Sequence, residues 1–240
     1  MLILMISSCQ EEESEFVEFQ NDRFLNALIE YGVDTNGDGY ISKAEAEAVS
    51  ELRLNKHFYD MKGIEAFINL TRLFCSTSKL DVSKNSLLEL LICPSGGLTH
   101  LDVSKNTALI TLECDDNKLA ELDVSNSSFL KVLICNGNEI SSLDISPNTD
   151  LYVLNCSDNR LTDLDISENV ELRYLICAYT NINSLDISGN SKLVELKIHH
   201  MLTLHEVCVW TIPFPPQGVT VDTSDSPNVY FTMDCTSVIK

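Results

Sequence analysis

The stretch Leu109-Ile-Thr-Leu-Glu-Cys-Asp-Asp-Asn-Lys-Leu-Ala-Glu-Leu-Asp-Val-Ser125 decides the fold, because it returns along the chain every 21 residues. Its cysteine and its leucine–aspartate pair both keep this spacing. Two residue types locked to one period indicate stacked copies of a single structural unit. A stack of this kind offers a long surface rather than one deep pocket. The cysteine recurs at Cys93, Cys114, Cys135, Cys156 and Cys177.

The repeat can be written LxxLxCxxNxLxxLDVSxNxx. It resembles the leucine-rich repeat of the bacterial cysteine-containing class and is similar to internalins with a cysteine ladder. The resemblance covers about residues 49–200 and implies that each LxC segment is a parallel strand on a concave side. The predicted fold class is therefore α/β to mainly β, a solenoid of eight turns centred on Leu54, Cys75, Cys93, Cys114, Cys135, Cys156, Cys177 and Ile198.

Strand alternation predicts which side chains face outward. In Leu112-Glu113-Cys114 the leucine and the cysteine point inward and the glutamate points to solvent. Many of the outward positions are apolar, which marks an interaction surface or reflects the preference of β-branched and aromatic residues for strands. We favour binding, and the predicted ligand-face residues are Arg72, Phe74, Leu90, Ile92, Glu113, Val132, Ile134, Val153, Tyr174 and Ile176.

The nine cysteines fall into three sets. Equivalent residues in neighbouring turns lie ~4.8 Å apart and point the same way, which does not fit the facing geometry of a disulfide. We therefore expect the six from Cys75 to Cys177 to be buried free thiols that pack as small apolar residues. Cys208 and Cys235 lie outside the period and are the disulfide candidates, and Cys9 belongs to the N-terminus.

Asparagine and aspartate also keep the period. Two asparagine ladders are expected to satisfy backbone groups at the corners of the solenoid, with local loosening where Gly96, Ser127 and Thr180 replace asparagine. A column of six aspartates from Asp81 to Asp186 is interpreted as a solvated face with turn hydrogen bonds, the alternative being a metal-binding ridge. One turn, before Cys93, is three residues short, and we expect a defect in the stack there.

Residues 34–45 match the calcium-loop pattern D-x-[DN]-x-[DN]-G-x5-E without a mismatch. Calcium requires six to eight hard oxygens, and the predicted ligands are Asp34, Asn36, Asp38, Tyr40 through its carbonyl, Ser42 and Glu45. The competing interpretation is a metal-free turn. The loop occurs once, and the helix that follows it leads into the first repeat. We therefore predict calcium as the cofactor and expect it to have a structural role, in preference to a role as a switch or in cohesin binding.

The N-terminal sequence Met1-Leu-Ile-Leu-Met-Ile-Ser-Ser-Cys9 resembles a bacterial lipobox, which implies lipidation of Cys9, although the basic n-region is missing and the apolar run is short. The alternative is a frayed apolar terminus with a chance cysteine. Residues 1–9 are interpreted as the lipoprotein signal. The following acidic stretch, residues 10–21, is interpreted as a tether or as an export signal of surface lipoproteins.

The remaining organisation follows from where the period begins and ends. We assign residues 22–53 to a helix-loop-helix N-cap, residues 54–204 to the repeats and residues 205–240 to a C-terminal cap, because a terminal turn needs a cover. Pro213, Pro215 and Pro216 interrupt strands in that cap, and its valines and Phe231 suggest a short hairpin-like lid.

Composition narrows the function. A net charge of −20 makes duplex nucleic acid an unlikely partner. We find no catalytic signature and expect no enzymatic activity; three histidines near the last turn (His199, His200 and His205) lack a recognisable zinc-ligand spacing. The sequence predicts a monomeric surface recognition protein of the bacterial outer membrane, attached only through its lipid and binding a host or bacterial protein. The alternative is a glycan-binding accessory lipoprotein of a carbohydrate-uptake system.

Overall fold

The computed structural model describes residues 15–235, which form a solenoid with parallel strands stacked in a nine-stranded sheet. The predicted leucine-rich repeat solenoid is confirmed, with nine turns instead of eight. The additional turn comes from the C-terminal segment, whose strand Thr220–Asp222 pairs in parallel with the strand Glu195–Lys197. The strands of this sheet are β1 (Glu51–Phe58), β2 (Arg72–Thr77), β3 (Leu90–Ile92), β4 (Thr111–Glu113), β5 (Val132–Ile134), β6 (Val153–Asn155), β7 (Tyr174–Ile176), β9 (Glu195–Lys197) and β11 (Thr220–Asp222).

A second sheet forms at the C-terminal end, where the leucine–aspartate segment of the repeat becomes a strand. Its three strands are β8 (Ser184–Asp186), β10 (Glu206–Cys208) and β12 (Tyr230–Thr232), and they also pair in parallel. The hairpin-like lid expected for this region is therefore wrong. The last segment instead adds one strand to each sheet, β11 to the nine-stranded sheet and β12 to the three-stranded sheet. This parallel pairing covers the sheet edges that the preceding strands would otherwise leave open.

The core follows the alternation of the repeat. In each three-residue strand of the main sheet from β3 to β9 the middle residue is buried and its two neighbours are half-buried. The cysteines after the strands are also buried, and all six from Cys75 to Cys177 are free thiols, as predicted. Burial raises the pKa of Cys114 to about 12, so these thiols stay protonated and pack as apolar residues.

Asparagine ladders connect successive turns. The Asn138 amide nitrogen donates to the carbonyls of Cys114 and Cys135, both at 3.0 Å, and its Oδ1 accepts from the backbone N–H of Leu119. The departures from the ladders are also tied to neighbours: the backbone N–H of Gly96 donates to Asn117 Oδ1, and Thr180 Oγ1 donates to a carbonyl at 2.8 Å. Thr180 thus keeps a side-chain donor to the carbonyl three residues earlier, as Asn138 does, whereas Gly96 has no side chain and is joined to the ladder only through its backbone N–H.

The aspartate column caps turns on the opposite side of the repeat. From Asp81 to Asp186 each aspartate Oδ1 accepts from the backbone N–H two residues later, at 2.8–3.0 Å. At Asp144 the Ser146 hydroxyl donates as well, at 2.7 Å. Hydrogen bonds to the following serine hold the pKa of Asp81, Asp102, Asp123 and Asp144 below the ordinary value.

The N-terminal segment packs two short helices against the first turn. Helix α1 (Asp22–Tyr31) begins after Asn21, whose side chain accepts from Arg23 N–H, and ends at Gly32 with φ of +91°. Helix α2 (Lys43–Glu47) begins after Ser42. The buried Phe24 of α1 meets Phe58 of β1 edge-on, with ring centroids 5.4 Å apart. A 3-10 helix, Ile64–Ala66, follows β1.

The irregularity in the stack lies in the first turn. The short turn before Cys93 was expected to be defective, but β2 and β3 pair in continuous register, with Arg72 opposite Leu90 and Phe74 opposite Ile92. The register instead shifts within β1, between Arg53 and His57. The extra residues there form a bulge in the edge strand of the sheet.

The C-terminal segment is closed by a disulfide between Cys208 and Cys235, whose Cα atoms are 5.4 Å apart. Cys9 and the first part of the acidic stretch lie outside the described residues, as do the last five residues. Within residues 15–235 the two α-helices contain ten and five residues, and neither has the length and apolarity needed to cross a membrane.

Candidate functional site

The outward side of the nine-stranded sheet, here called the sheet face, carries two columns of side chains in register. Pairing places Ile92, Glu113 and Ile134 side by side in one column, and Leu90, Thr111 and Val132 in the other. All of the residues predicted as the ligand face lie on it, at the exposed or half-buried positions that flank a buried residue in β2 to β7. The two columns are Glu51, Arg72, Leu90, Thr111, Val132, Val153, Tyr174, Glu195 and Thr220, and Arg53, Phe74, Ile92, Glu113, Ile134, Asn155, Ile176, Lys197 and Asp222.

Apolar side chains dominate the middle of the sheet face. Ile134 and Ile176 flank Asn155, and Val132 and Val153 are direct neighbours. Each is half-buried, because one side packs against neighbouring strands and the other faces solvent. The middle strands therefore present an apolar band that Glu113 and Asn155 interrupt, a surface type that suits contact with another macromolecule.

Charges at the two ends of the sheet face are paired. Glu51 forms ion pairs with both Arg53 and Arg72, and the Arg53 guanidinium lies 3.9 Å from the centroid of the Phe74 ring. At the other end Lys197 pairs with Glu195 at 3.0 Å. These contacts order the long side chains at each end and leave little net charge there.

The charges in the middle are different. Glu113 and Asp115 have no ion pair among residues 15–235. The pKa of Glu113 is raised, first by partial burial and then by repulsion from Asp115. Partial burial also raises the pKa of Asp115, with a further contribution from Asp116. The centre of the sheet face is thus acidic, and its carboxylates are incompletely solvated.

Aromatic rings cluster near the C-terminal turns. Tyr152 lies just before β6 and packs against Tyr174, with centroids 5.6 Å apart, and Arg173 lies over its ring. Tyr179 stacks on His200 at 4.4 Å. Sequence analysis missed Tyr152 because it lies outside the strand positions to which alternation applies. The signal that could have identified it is its place in the repeat, directly before the first residue of the strand.

The histidines near the last turn do not form a metal cluster. His199 pairs with Asp222 and His200 with Asp225, whereas His205 Nδ1 lies 2.6 Å from the carbonyl oxygen of Thr203. Within residues 15–235, the one group of three metal-binding side chains with ligand atoms inside 4.8 Å is Asp186, Cys208 and Cys235. Its two sulfurs are bonded to each other, so it offers no thiolate pair to a metal.

The loop at residues 34–45 folds around its own side-chain oxygens. The two carboxylate oxygens of Asp34 accept from the N–H groups of Gly37 and Gly39, at 2.7 and 2.9 Å. Asp38 Oδ1 accepts from Tyr40 N–H at 2.8 Å. Gly39 has φ of +85°, a backbone conformation that a glycine adopts without strain. The sequence of this loop therefore produces the sharp turn that a calcium loop requires at this position.

Glu45 closes the loop at the start of α2. Its Oε2 accepts from the Ser42 N–H and hydroxyl, both at 2.9 Å, and these bonds together with those from Thr35 lower its pKa to about 2. The predicted ligand oxygens are all hard donors, which fits calcium. The carboxylates of Asp34, Asp38 and Glu45 do not all lie within 4.8 Å of one another, because Glu45 is turned toward Thr35 and Ser42.

Comparison with known proteins identifies the fold. No protein-family model matches the sequence, and no curated protein matches it. The functional domain of InlJ from Listeria monocytogenes, which includes a cysteine ladder, has a TM-score of 0.57 and 23% identity over 92% of this chain; the chain spans 64% of that domain.

Two further solved structures extend the comparison. Internalin C2 of L. monocytogenes has a TM-score of 0.69 and 17% identity, covering 89% of this chain and 94% of its own. The ectodomain of the Arabidopsis thaliana receptor kinase GASSHO1/SCHENGEN3, in complex with Casparian strip integrity factor 2, has a TM-score of 0.56 and 15% identity, covering 78% of this chain and 27% of its own. The chain therefore has the leucine-rich repeat fold that these proteins share.

Proposed function

We propose that this protein recognises another protein through the sheet face and performs no catalysis. The observation that carries the proposal is the half-buried apolar band, in which Ile134, Ile176 and their neighbours stand in register on adjacent strands. Apolar side chains in register at the centre of a surface, bordered by paired charges, are characteristic of interaction surfaces. The plant ectodomain with the same fold, in complex with its factor, supports the use of such a scaffold for protein ligands.

We further propose that the protein acts on the bacterial cell envelope. The support is the lipobox-like sequence ending at Cys9, followed by the acidic stretch Gln10-Glu11-Glu12-Glu13. A lipid at Cys9 together with this stretch would make the chain an outer-membrane lipoprotein displayed at the surface. Transfer of palmitate label to the wild-type chain, and not to the Cys9→Ser variant, is the expected result in a bacterial host.

Calcium is proposed to lock the N-terminal segment onto the first turn. Asp34, Asn36 and Asp38 would hold it with side-chain oxygens, Tyr40 with its carbonyl, and Ser42 and Glu45 at the start of α2. A bound calcium ion would offset two of the three negative charges that Asp34, Asp38 and Glu45 bring together in the loop. Support for a structural role comes from Ile41, which is buried and whose carbonyl accepts from Val17 N–H at 2.8 Å, so the loop is continuous with the core.

The protein-binding proposal is tested by chemical crosslinking and pull-down from bacterial and host surface extracts. We expect Ile134→Asp combined with Ile176→Asp to abolish capture of every specific partner. Phe129→Asp is the matched control, because Phe129 is exposed, lies in the turn before β5 and is absent from the sheet face. Partners captured equally well by the double variant would contradict the proposal, provided that its melting temperature matches that of the control.

A second candidate function, glycan binding, is favoured by the contact between Tyr152 and Tyr174. Two neighbouring rings provide an apolar platform, and Asn155 and Arg173 lie close by in the repeat. A glycan array probed with wild-type protein and with Tyr174→Ala distinguishes the two functions. Strong hits that disappear in Tyr174→Ala would favour a glycan-uptake accessory protein over a protein receptor.

A further inference from the structure

We propose that the centre of the sheet face binds an extended segment of the partner protein in which one lysine or arginine is flanked by apolar residues. The cation would lie over Glu113 and Asp115, and the apolar neighbours would pack on Ile92 and Ile134. This inference rests on the proposed function and specifies the chemistry of the partner. Three observations support this chemistry. Strand register places Glu113 among apolar side chains, Glu113 and Asp115 have no basic partner within residues 15–235, and both carboxylates are partly buried.

Register places the acidic group inside the apolar band. Glu113 is paired with Ile92 on one side and Ile134 on the other, and neighbouring strands lie ~4.8 Å apart. The ladder continues beyond β4, because Cys114 N–H donates to the Ile134 carbonyl and Asp116 N–H to the Asn136 carbonyl, both at 2.8 Å. Asp115 is therefore on the same side as Glu113, two residues further along.

No basic side chain neutralises this pair within residues 15–235, whereas Glu51 and Glu195 on the same face are both paired. Partial burial already disfavours the ionised form of Glu113. A ligand that covered the centre without a positive charge would remove more water from two carboxylates and leave them unpaired, which is costly. A basic side chain converts that cost into a charge-assisted contact.

The other occupants fit less well. A purely apolar segment would bury the carboxylates without a partner, and a second copy would place its own acidic centre against this one. An acidic segment or a nucleic acid would be repelled by the pair and by the net charge of −20. In an extended segment residues i−2 and i+2 lie ~7 Å from a central basic residue, which brings apolar side chains over the two flanking isoleucines.

The test is selection of random twelve-residue peptides on the full chain in calcium, followed by affinity measurements. Glu113→Gln combined with Asp115→Asn removes the pair with little change in shape. The matched control is Glu121→Gln combined with Asp163→Asn, which changes the net charge equally at exposed positions on the opposite side of the repeat. Ile134→Asp reports separately whether a peptide uses the sheet face at all.

We expect enriched peptides to share one lysine or arginine with apolar residues two positions away on each side. Their affinity should fall about tenfold or more in the Glu113/Asp115 variant and stay unchanged in the control. Peptides that lack a basic residue, bind that variant equally and are lost on Ile134→Asp would overturn the inference and leave protein recognition standing. Peptides insensitive to Ile134→Asp, or no enrichment beside a positive glycan array, would overturn both.

Discussion

Thr35 and Glu45 are ten residues apart in sequence and are joined twice in the structure. The backbone N–H and the hydroxyl of Thr35 both donate to Oε1 of Glu45, at 2.7 and 2.8 Å. With the two bonds from Ser42, they lower the pKa of the Glu45 carboxyl to about 2, so that it stays ionised in mildly acidic solution as well as at neutral pH. The first and last parts of the loop are thus held together by an acceptor that also has the chemistry of a calcium ligand.

The first prediction is that calcium stabilises the fold. At a concentration about 100-fold above its Kd, calcium should raise the melting temperature by about 5–10 °C relative to excess chelator. Glu45→Gln should remove most of this difference, because it lowers the charge of the last ligand. Glu47→Gln, at an exposed position on the same helix, should retain it. Equal melting curves with calcium and with chelator would exclude a structural calcium.

The second prediction concerns the asparagine ladder. Asn138→Ala should lower the free energy of unfolding by about 2–4 kcal/mol, because it leaves the Cys114 and Cys135 carbonyls and the Leu119 N–H with one partner fewer each. Urea unfolding at neutral pH measures the loss. Asn181→Ala, at an exposed position, is the control and should change stability by less than about 0.5 kcal/mol. A loss no larger than in the control would show that the ladder does not bear on stability.

The period explains why so much of the fold followed from the sequence. Strand positions, the buried cysteines and the outward columns depend on contacts between neighbouring turns, and a 21-residue spacing states those contacts directly. The ends do not obey it. Val221 pairs with Leu196 and Phe231 with Val207 at spacings of 25 and 24 residues, so the period gave no signal for the ninth turn. The bulge in β1 likewise depends on how the edge strand meets its neighbour.

The candidate site was only partly predictable for a related reason. Alternation identified Glu113 as an outward residue. Whether it has an ion-pair partner, however, depends on the positions that basic side chains from other turns take in the folded structure. Arg173, for example, lies over Tyr152. The contact between Tyr152 and Tyr174 likewise depends on a residue that lies before its strand, where alternation makes no statement.

The third prediction concerns acid stability. Asp81, Asp102, Asp123 and Asp144 have a folded pKa below the ordinary value of 3.8. Their ionised forms therefore favour the folded state above that value, and this contribution is lost as the pH falls through the folded pKa. Unfolding free energy should decline steeply below about pH 4. Asp144→Asn, which keeps an acceptor for Ser146 but cannot ionise, should make the decline shallower. An unchanged slope, measured by urea titration from pH 6 to pH 2.5, would show that this turn does not contribute.

The fourth prediction links binding to stability at Glu113. Its folded pKa is raised above the ordinary value of 4.5, so the ionised form disfavours folding, and that penalty is complete above the folded pKa and disappears as the pH falls below 4.5. Glu113→Gln should therefore raise the melting temperature by about 1–3 °C at pH 7 and by little or nothing at pH 4. Glu121→Gln, at an exposed position, should change it at neither pH. If Glu113→Gln lowered the melting temperature at neutral pH, the carboxylate would have a stabilising partner within the protein. It would then not be an unpaired group available to a basic ligand.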